Sequence, residues 1–249
     1  YTTKTLGTVT AVNNFNLTIK KGECFSFLGP SGCGKTTTLR MLAGFEDLSE
    51  GEIRLEGKVV SNKAKNLYVP PEHRNLGMVF QAFAVWPHLN VFDNVAFPLQ
   101  VQKRPKAEIE ERVNLALKQT NLLDQAKVFP SDLSGGEQQR IALARSIVVN
   151  PGILLLDEPL SNLDPKLRES MRFEIKRLQK EYNFTIVFVT HDQSEALALS
   201  DRLLVMNKGE IIQIGTPQEL YNKPVSLFVH NFLGESNFTK VEYRDGKVY

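Results

Sequence analysis

The sequence predicts an α/β fold built around a mostly parallel sheet. Two observations carry that prediction. Four short apolar, β-branched or aromatic runs, ECFSFLG (23–29), NLGMVF (75–80), GILLLDE (152–158) and TIVFVTH (185–191), read as buried strands. Segments of helical periodicity lie between them, and strands alternating with helices are the pattern of a largely parallel sheet.

Taken in order, the first run leads into GPSGCGKTTTL (29–39), a glycine-rich turn followed by a helical stretch. Ile109, Val113 and Leu117 are spaced i, i+4, i+8 in an otherwise charged segment, the mark of an amphipathic helix. The third run is unbroken in its hydrophobicity, as expected for a strand covered on both faces. Leu167, Met171, Ile175 and Leu178 repeat the helical spacing after Pro165, a favourable first-turn residue. Near the end, RLLVMNKGEIIQIG (202–215) holds two alternating runs around Asn207-Lys208-Gly209, a hairpin signal. The last stretch, NFTKVEYRDGKVY, reads as the beginning of further β structure. There is no internal repeat and no low-complexity tract.

Composition narrows the function. The 249 residues are 42% hydrophobic and carry 30 Lys and Arg against 28 Asp and Glu, a formal charge of +2 with both signs interspersed. Such a chain has no polybasic surface to hold nucleic acid or anionic lipid. Cys24 and Cys33 are too few to frame a disulfide scaffold and lack zinc-type partners, which reads as a reducing compartment. No apolar run reaches the roughly 20 residues of a membrane helix, and YTTKTLGTVT lacks a signal-peptide core. Any membrane role must be borrowed from a partner.

Three constellations carry chemistry. Gly29, Gly34, Lys35 and Thr36 match G-x-x-x-x-G-K-[ST] between a strand and a helix. Pro30, Ser31, Gly32 and Cys33 fill the loop, and Thr37 follows in the helix. Backbone N–H groups there can curl round phosphate oxygens, with Lys35 on the outer phosphates and the Thr36 hydroxyl on Mg²⁺. Alkylation of Cys33 is expected to block this cradle. Asp157 and Glu158 sit at the C-terminal end of a buried strand, the edge where α/β sheets bind ligands. Asp157 is placed to order Mg²⁺ and Glu158 to take a proton from an attacking water. His191 ends the next strand and can bond the terminal phosphate, while Gln81 can lend its amide oxygen to the metal or the water. The third constellation is DLSGGEQQRIALARSI (132–147), where Ser134, Gly135 and Gly136 precede a helical pattern and again offer bare N–H groups and a hydroxyl to an anion.

The order GPSGCGKT, Gln81, LSGGEQQR, ILLLDEP, SNLD, VTH resembles the nucleotide-binding subunit of ATP-binding cassette (ABC) transporters over residues 4 to about 235. LSGGEQQR is the specific element. The resemblance implies a cassette over 1–235, with an antiparallel β subdomain and a helical signature subdomain at about 82–150. It also implies two copies packed head to tail around ATP. Ser134, Gly135, Gly136 and Glu137 would then meet the nucleotide held by the other copy, and Asp164 of SNLD would cross the interface. Most relatives carry Ala where Asn162 stands.

AFAVWPHLNVFDNVAFPL (82–99) is similar to the region that receives a helix of a membrane-spanning permease subunit. Phe83, Trp86 and His88 are the candidate contacts, with Phe92 and Phe97 expected to pack inside the helical subdomain. The C-terminal half is most similar to importer ATPases of the ferric-iron, sugar-phosphate, maltose and polyamine group. By that likeness 236–249 begins a β regulatory domain, the subunit lies at the cytoplasmic face of the cell membrane, and an extracytoplasmic solute-binding protein is an indirect partner. The cargo suggested by similarity is ferric iron, with a sugar phosphate next. The position where relatives stack an aromatic ring on adenine is Leu6 here, so base recognition is expected to be looser. A non-transport cassette ATPase acting on ribosomes or DNA is the alternative of a different class, and an exporter ATPase a third; neither tandem cassettes nor a coiled-coil insertion is present to favour the former.

Overall fold

A computed structural model describes residues 10–234 in full, together with the backbone of Thr2–Thr3, Gly7–Thr8, Tyr243–Arg244 and Lys247–Val248. Leu6 and most of 236–249 lie outside the described residues. The elements run β1 (Thr2–Thr3), β2 (Gly7–Thr8), β3 (Cys24–Leu28), α1 (Lys35–Ala43), β4 (Glu52–Leu55), β5 (Lys58–Asn62), β6 (Leu67–Tyr68) and β7 (Leu76–Val79). Then follow α2 (Val91–Val101), α3 (Lys106–Gln119), α4 (Gly135–Ile147), β8 (Ile153–Asp157), α5 (Pro165–Tyr182), β9 (Thr185–Thr190) and α6 (Gln193–Leu199). The chain continues with β10 (Arg202–Asn207), β11 (Glu210–Gly215), α7 (Pro217–Asn222), α8 (Leu227–Leu233), β12 (Tyr243–Arg244) and β13 (Lys247–Val248).

The central sheet has the order β11-β10-β3-β9-β8-β7, parallel throughout except for the antiparallel edge strand β11. Its alternate residues feed two cores. Leu154, Leu156, Ile186 and Phe188 join the apolar faces of α2 to α5, whereas Leu155, Val187 and Val189 join Phe25, Phe27 and Leu39 on the α1 side. A strand covered on both faces has no use for polar alternation, which is why these runs read as unbroken.

All four predicted strands form within the predicted runs, and the helices α3 and α5 contain the two spacings. The hairpin differs in one respect. Leu203–Met206 are buried without alternation, because β10 is an interior strand between β3 and β11. Its turn, Lys208-Gly209, has φ of 48° and 84°, the twist-compatible pair that a two-residue hairpin requires.

A separate three-stranded antiparallel sheet, β4-β5-β6, lies beyond α1. Arg74, which follows that sheet, is buried and binds the end of α1: Nη1 donates to Met41 O (2.7 Å) and Leu42 O (2.9 Å), and Nε to Val69 O (2.7 Å). The last carbonyls of a helix otherwise lack partners, and a guanidinium satisfies them and opposes the negative end of the dipole. Helices α2, α3 and α4 pack on one another and on the sheet face that carries Leu154 and Leu156. Among the described residues no helix is long and apolar enough to cross a membrane.

Candidate active site

Parallel strands bring their C-terminal ends to one edge, and every chemistry-bearing residue of the first two constellations follows such an end. Leu28 leads into the glycine-rich loop, Val79 is followed by Phe80 and Gln81, Asp157 closes β8 ahead of Glu158, and His191 follows Thr190. The pairings Leu28↔Thr190 and Asp157↔Val189 set these ends level with one another.

The loop 29–34 is held rigid from outside. Gly34, at φ 106°, caps α1, and a Cβ there would meet Ala11 O at 2.5 Å, so no other residue fits without strain. The turn of the β10–β11 hairpin closes on the loop: Gly209 N donates to Cys33 O (3.0 Å), and Asn13 N donates to Gly209 O (2.8 Å). This wall, built from residues 11–13 and Gly209, went unseen in the sequence, because its only signal is a glycine in a hairpin turn. Lys35 is 5% exposed and folds into the loop, its Nζ donating to Gly29 O (2.7 Å) and Pro30 O (3.1 Å). Ser31 and Gly32 are exposed at the tip, and Thr37 is half-buried.

Cys33 is buried, with Sγ 3.9 Å from Lys35 Nζ, and burial pushes its thiol up despite that neighbouring ammonium. A protonated, enclosed thiol is a poor nucleophile, so alkylation of the folded loop should be slow, which tempers the expectation of a ready block. Burial pushes the Cys24 thiol up to about 12.

Thr36 Oγ1 donates to Asp157 Oδ1 at 3.1 Å. Burial raises the Asp157 carboxyl, the Thr36 hydrogen bond opposes the shift, and the adjacent Glu158 adds to it. A buried carboxylate whose charge is disfavoured, set against a hydroxyl, is a fitting hard-oxygen donor set for Mg²⁺.

Glu158 adopts φ 46°, left-handed backbone that costs a non-glycine residue about 1–2 kcal/mol. Its N–H still donates to Val189 O (2.9 Å), while Ser161 N and Oγ donate to its carbonyl (3.2 and 2.9 Å). The turn aims the carboxylate between two partners: Gln81 Nε2 donates to Oε2 (3.2 Å), and His191 Nδ1 lies 3.1 Å from the same oxygen. The Gln81 amide nitrogen is thus engaged with Glu158, and the bond leaves its amide oxygen, the atom expected to serve the metal or the water, uncommitted to that carboxylate. Asn162 Nδ2 donates to Gln81 O (3.0 Å), which gives the residue that departs from the family pattern a definite contact.

The third constellation stands apart from these bonds. Ser134 caps α4 in a capping box: its N and Oγ donate to Glu137 Oε2 (2.8 and 2.6 Å), and Gln125 Nε2 donates to Oε1 (2.5 Å). Those bonds hold the Glu137 carboxyl below its usual range, the Ser134 contribution being the largest. Ser134 and Gly135 are exposed, but Gly136 is buried, and a Cβ on it would press on Leu167 of α5. The two glycines therefore differ: one lies open, the other is a close-packing position. Asp164 caps α5, its Oδ1 accepting from Leu167 N (3.1 Å).

In the 82–99 segment the aromatic residues are arranged otherwise than expected. Phe97 is exposed rather than internal, and it packs on Trp86 with ring centroids 4.4 Å apart. The Arg145 guanidinium covers the same indole at 4.5 Å while Nη1 donates to Ala84 O (2.7 Å). Phe83 and Phe92 pack against the core, and His88 is exposed. Asn94, fully buried, pins the loop: Oδ1 accepts from Trp86 N (2.8 Å) and Nδ2 donates to Leu89 O (2.9 Å).

Residues 12–161 match the family described as ABC transporter. Among curated relatives, a spermidine/putrescine import ATP-binding protein PotA of Thermobifida fusca is 55% identical over 92% of this chain and 58% of its own length. A trehalose/maltose import ATP-binding protein MalK of Thermococcus litoralis is 49% identical over 93% of this chain and 62% of its own. The chain thus spans about three fifths of the length of these relatives. A solved dimeric structure of MJ0796, a bacterial ABC transporter cassette, superposes with a TM-score of 0.72 at 34% identity, covering 84% of this chain and 91% of that one. The same cassette has been solved in a post-hydrolysis state bound to ADP and Pi.

Proposed function

Since the chain belongs to the ABC transporter family, we propose that it is the ATP-hydrolysing subunit of a solute importer and works as two copies packed head to tail around two MgATP. The observation that carries the reading is the meeting of Gln81, His191 and Glu158 on one carboxylate oxygen, on the sheet edge that also carries Lys35 and Thr36–Asp157.

In this reading the loop 29–34 wraps the phosphates of ATP, and Lys35 exchanges its two carbonyl acceptors for phosphate oxygens. Thr36 and Asp157 would hold Mg²⁺, with Gln81 near it. When bound, that ion neutralises charge developing on the phosphate oxygens and fixes their orientation. Glu158 accepts the proton of the attacking water, its carboxylate oriented by the Gln81 and His191 contacts on Oε2. His191, half-exposed, is in reach of the terminal phosphate. The partner copy's α4 start, with its exposed Ser134 and Gly135, would cover the nucleotide from the other side, and Asn162 and Asp164 would lie along the join. The dimeric solved cassette supports that arrangement.

The half-buried Trp86, the exposed Phe97 stacked on it and the exposed His88 are the surface we assign to a permease subunit, which would hold this chain at the cytoplasmic face of the membrane. The relatives reported above are import proteins, which supports the importer reading over a ribosome- or DNA-directed ATPase. Their names refer to polyamines and to trehalose and maltose. Ferric iron has no counterpart among them, so a polyamine or a sugar is the better-supported cargo, delivered by a solute-binding protein.

Glu158→Gln tests the reading. Loss of a general base should lower ATP turnover by about 100- to 10,000-fold while an ATP-bound dimer accumulates in size-exclusion light scattering. Unchanged turnover in that variant would remove Glu158 from the role.

A further inference from the structure

A second set of bonds reaches His191 from behind. Arg168, on the first turns of α5, sends Nη2 to Leu163 O (3.2 Å) and Nη1 to Asp192 Oδ2 (3.4 Å), while its Nε lies 3.5 Å from Glu195 Oε1. Glu195 is 2% exposed, in the first turn of α6. Its other oxygen, Oε2, accepts from Thr190 Oγ1 (2.6 Å), and that same hydroxyl accepts from Asp192 N (3.0 Å). The residues on either side of His191 are therefore fixed by one buried carboxylate and one guanidinium. That guanidinium also grips the backbone of the 161–164 loop, whose Asn162 bonds Gln81.

We infer that Arg168 and Glu195 are positioning residues that tie the 161–164 loop to His191, so that the loop's position sets the imidazole's approach to Glu158. The inference rests on the proposed function. Ser161 and Asn162 join the loop to the Glu158 and Gln81 side of the imidazole; the Arg168 set joins the same loop, at Leu163 O, to the Thr190 and Asp192 backbone that carries the histidine. Glu195 sits in a buried position that pushes its carboxyl up, with the Thr190 hydroxyl and Arg168 opposing. Such a group is kept charged only by an intact set of partners.

The test uses the natural full-length protein and measures kcat and KM for ATP at a temperature where circular dichroism shows each variant folded. Arg168→Gln leaves a buried carboxylate unpaired and should lower the melting temperature as well as kcat. In Arg168→Gln/Glu195→Gln both charges are gone, which restores most of the stability. Its kcat should stay about 10- to 100-fold low with KM within about twofold of wild type, because orientation and not nucleotide binding is lost. Arg168→Lys, which keeps the charge but not the fork, should recover part of kcat. A folded double variant with wild-type kcat, or one whose defect lies in KM alone, overturns the inference. Should the glutamine variants not fold, Arg168→Lys is judged alone: reduced kcat at constant KM supports the inference, and unchanged kcat overturns it. If wild type does not hydrolyse ATP, or Glu158→Gln still does, the proposed function fails instead.

Discussion

The helix starts at Lys35 and at Ser134 both carry glycines, before the first turn of α1 and within the first turn of α4, yet they are finished to different degrees. At α1 the loop is walled by residues 11–13 and the hairpin turn, and Lys35 is buried with two internal acceptors. At α4, Ser134 and Gly135 are exposed, and the nearest anion is the chain's own Glu137. A cradle enclosed by its own chain can be filled by a ligand alone. An open helix start offers only the donors of one turn and becomes a site when a second surface closes over it. The difference teaches that the two cradles are complementary halves in the proposed pair of copies and not duplicates.

Ser134→Arg is the strongest way to break that comparison. It should leave nucleotide binding by a single copy unchanged, as read by calorimetry, while turnover falls on the order of 100-fold, the scale of losing preorganised donors at a reacting phosphate. Equal loss of binding and turnover would place the second cradle in the same pocket as the first.

The two glycines of the open cradle sharpen it on the stability axis. Gly136→Ala should lower unfolding free energy by about 1–3 kcal/mol relative to Gly135→Ala, since its methyl meets Leu167 while the other meets the Phe83 ring at an ordinary 3.7 Å. Thermal or urea unfolding of the pair decides this.

The smallest effect concerns the resident carboxylate. Glu137→Ala should cost about 1 kcal/mol at pH 7, the usual value of a cap. Because the folded-state pKa of Glu137 is depressed, its stabilisation is complete above the unfolded carboxylate pKa of about 4.3 and is lost as pH falls through the lower folded value. The gap between wild type and variant in melting temperature should therefore be constant at neutral pH and close below about pH 4. A gap that widens on acidification would mean the sign of the Glu137–Ser134 contact is wrong.

Much of the core was legible because periodicity and motif are local. Leu154–Asp157 and Thr185–Thr190 are continuous apolar runs, and the Lys35–Thr36 loop announces itself by spacing and by its place between strand and helix. What could not be read depends on contacts between distant residues. The packing of Gly136 against Leu167 is one such contact, and nothing in LSGG announces it. Phe97 belongs to an apolar-looking helix, but it sits on the face where Trp86 and Arg145 form a surface stack. The left-handed turn at Glu158 has no glycine to signal it, and the Arg168–Glu195 pair joins two helices through residues that taken singly look like ordinary surface charges.

The strand that delivers the phosphate loop, β3, has β9 and β10 as its two sheet neighbours. By residue 161 a growing chain has emerged with the glycine loop, both acidic residues and the LSGG turn, but that strand has nothing on either flank. Its backbone stays unpaired until 185–190 and 202–207 follow, so the loop acquires its shape late in synthesis. A nascent chain stalled in between would carry nearly the whole set of reactive groups and be unable to use them.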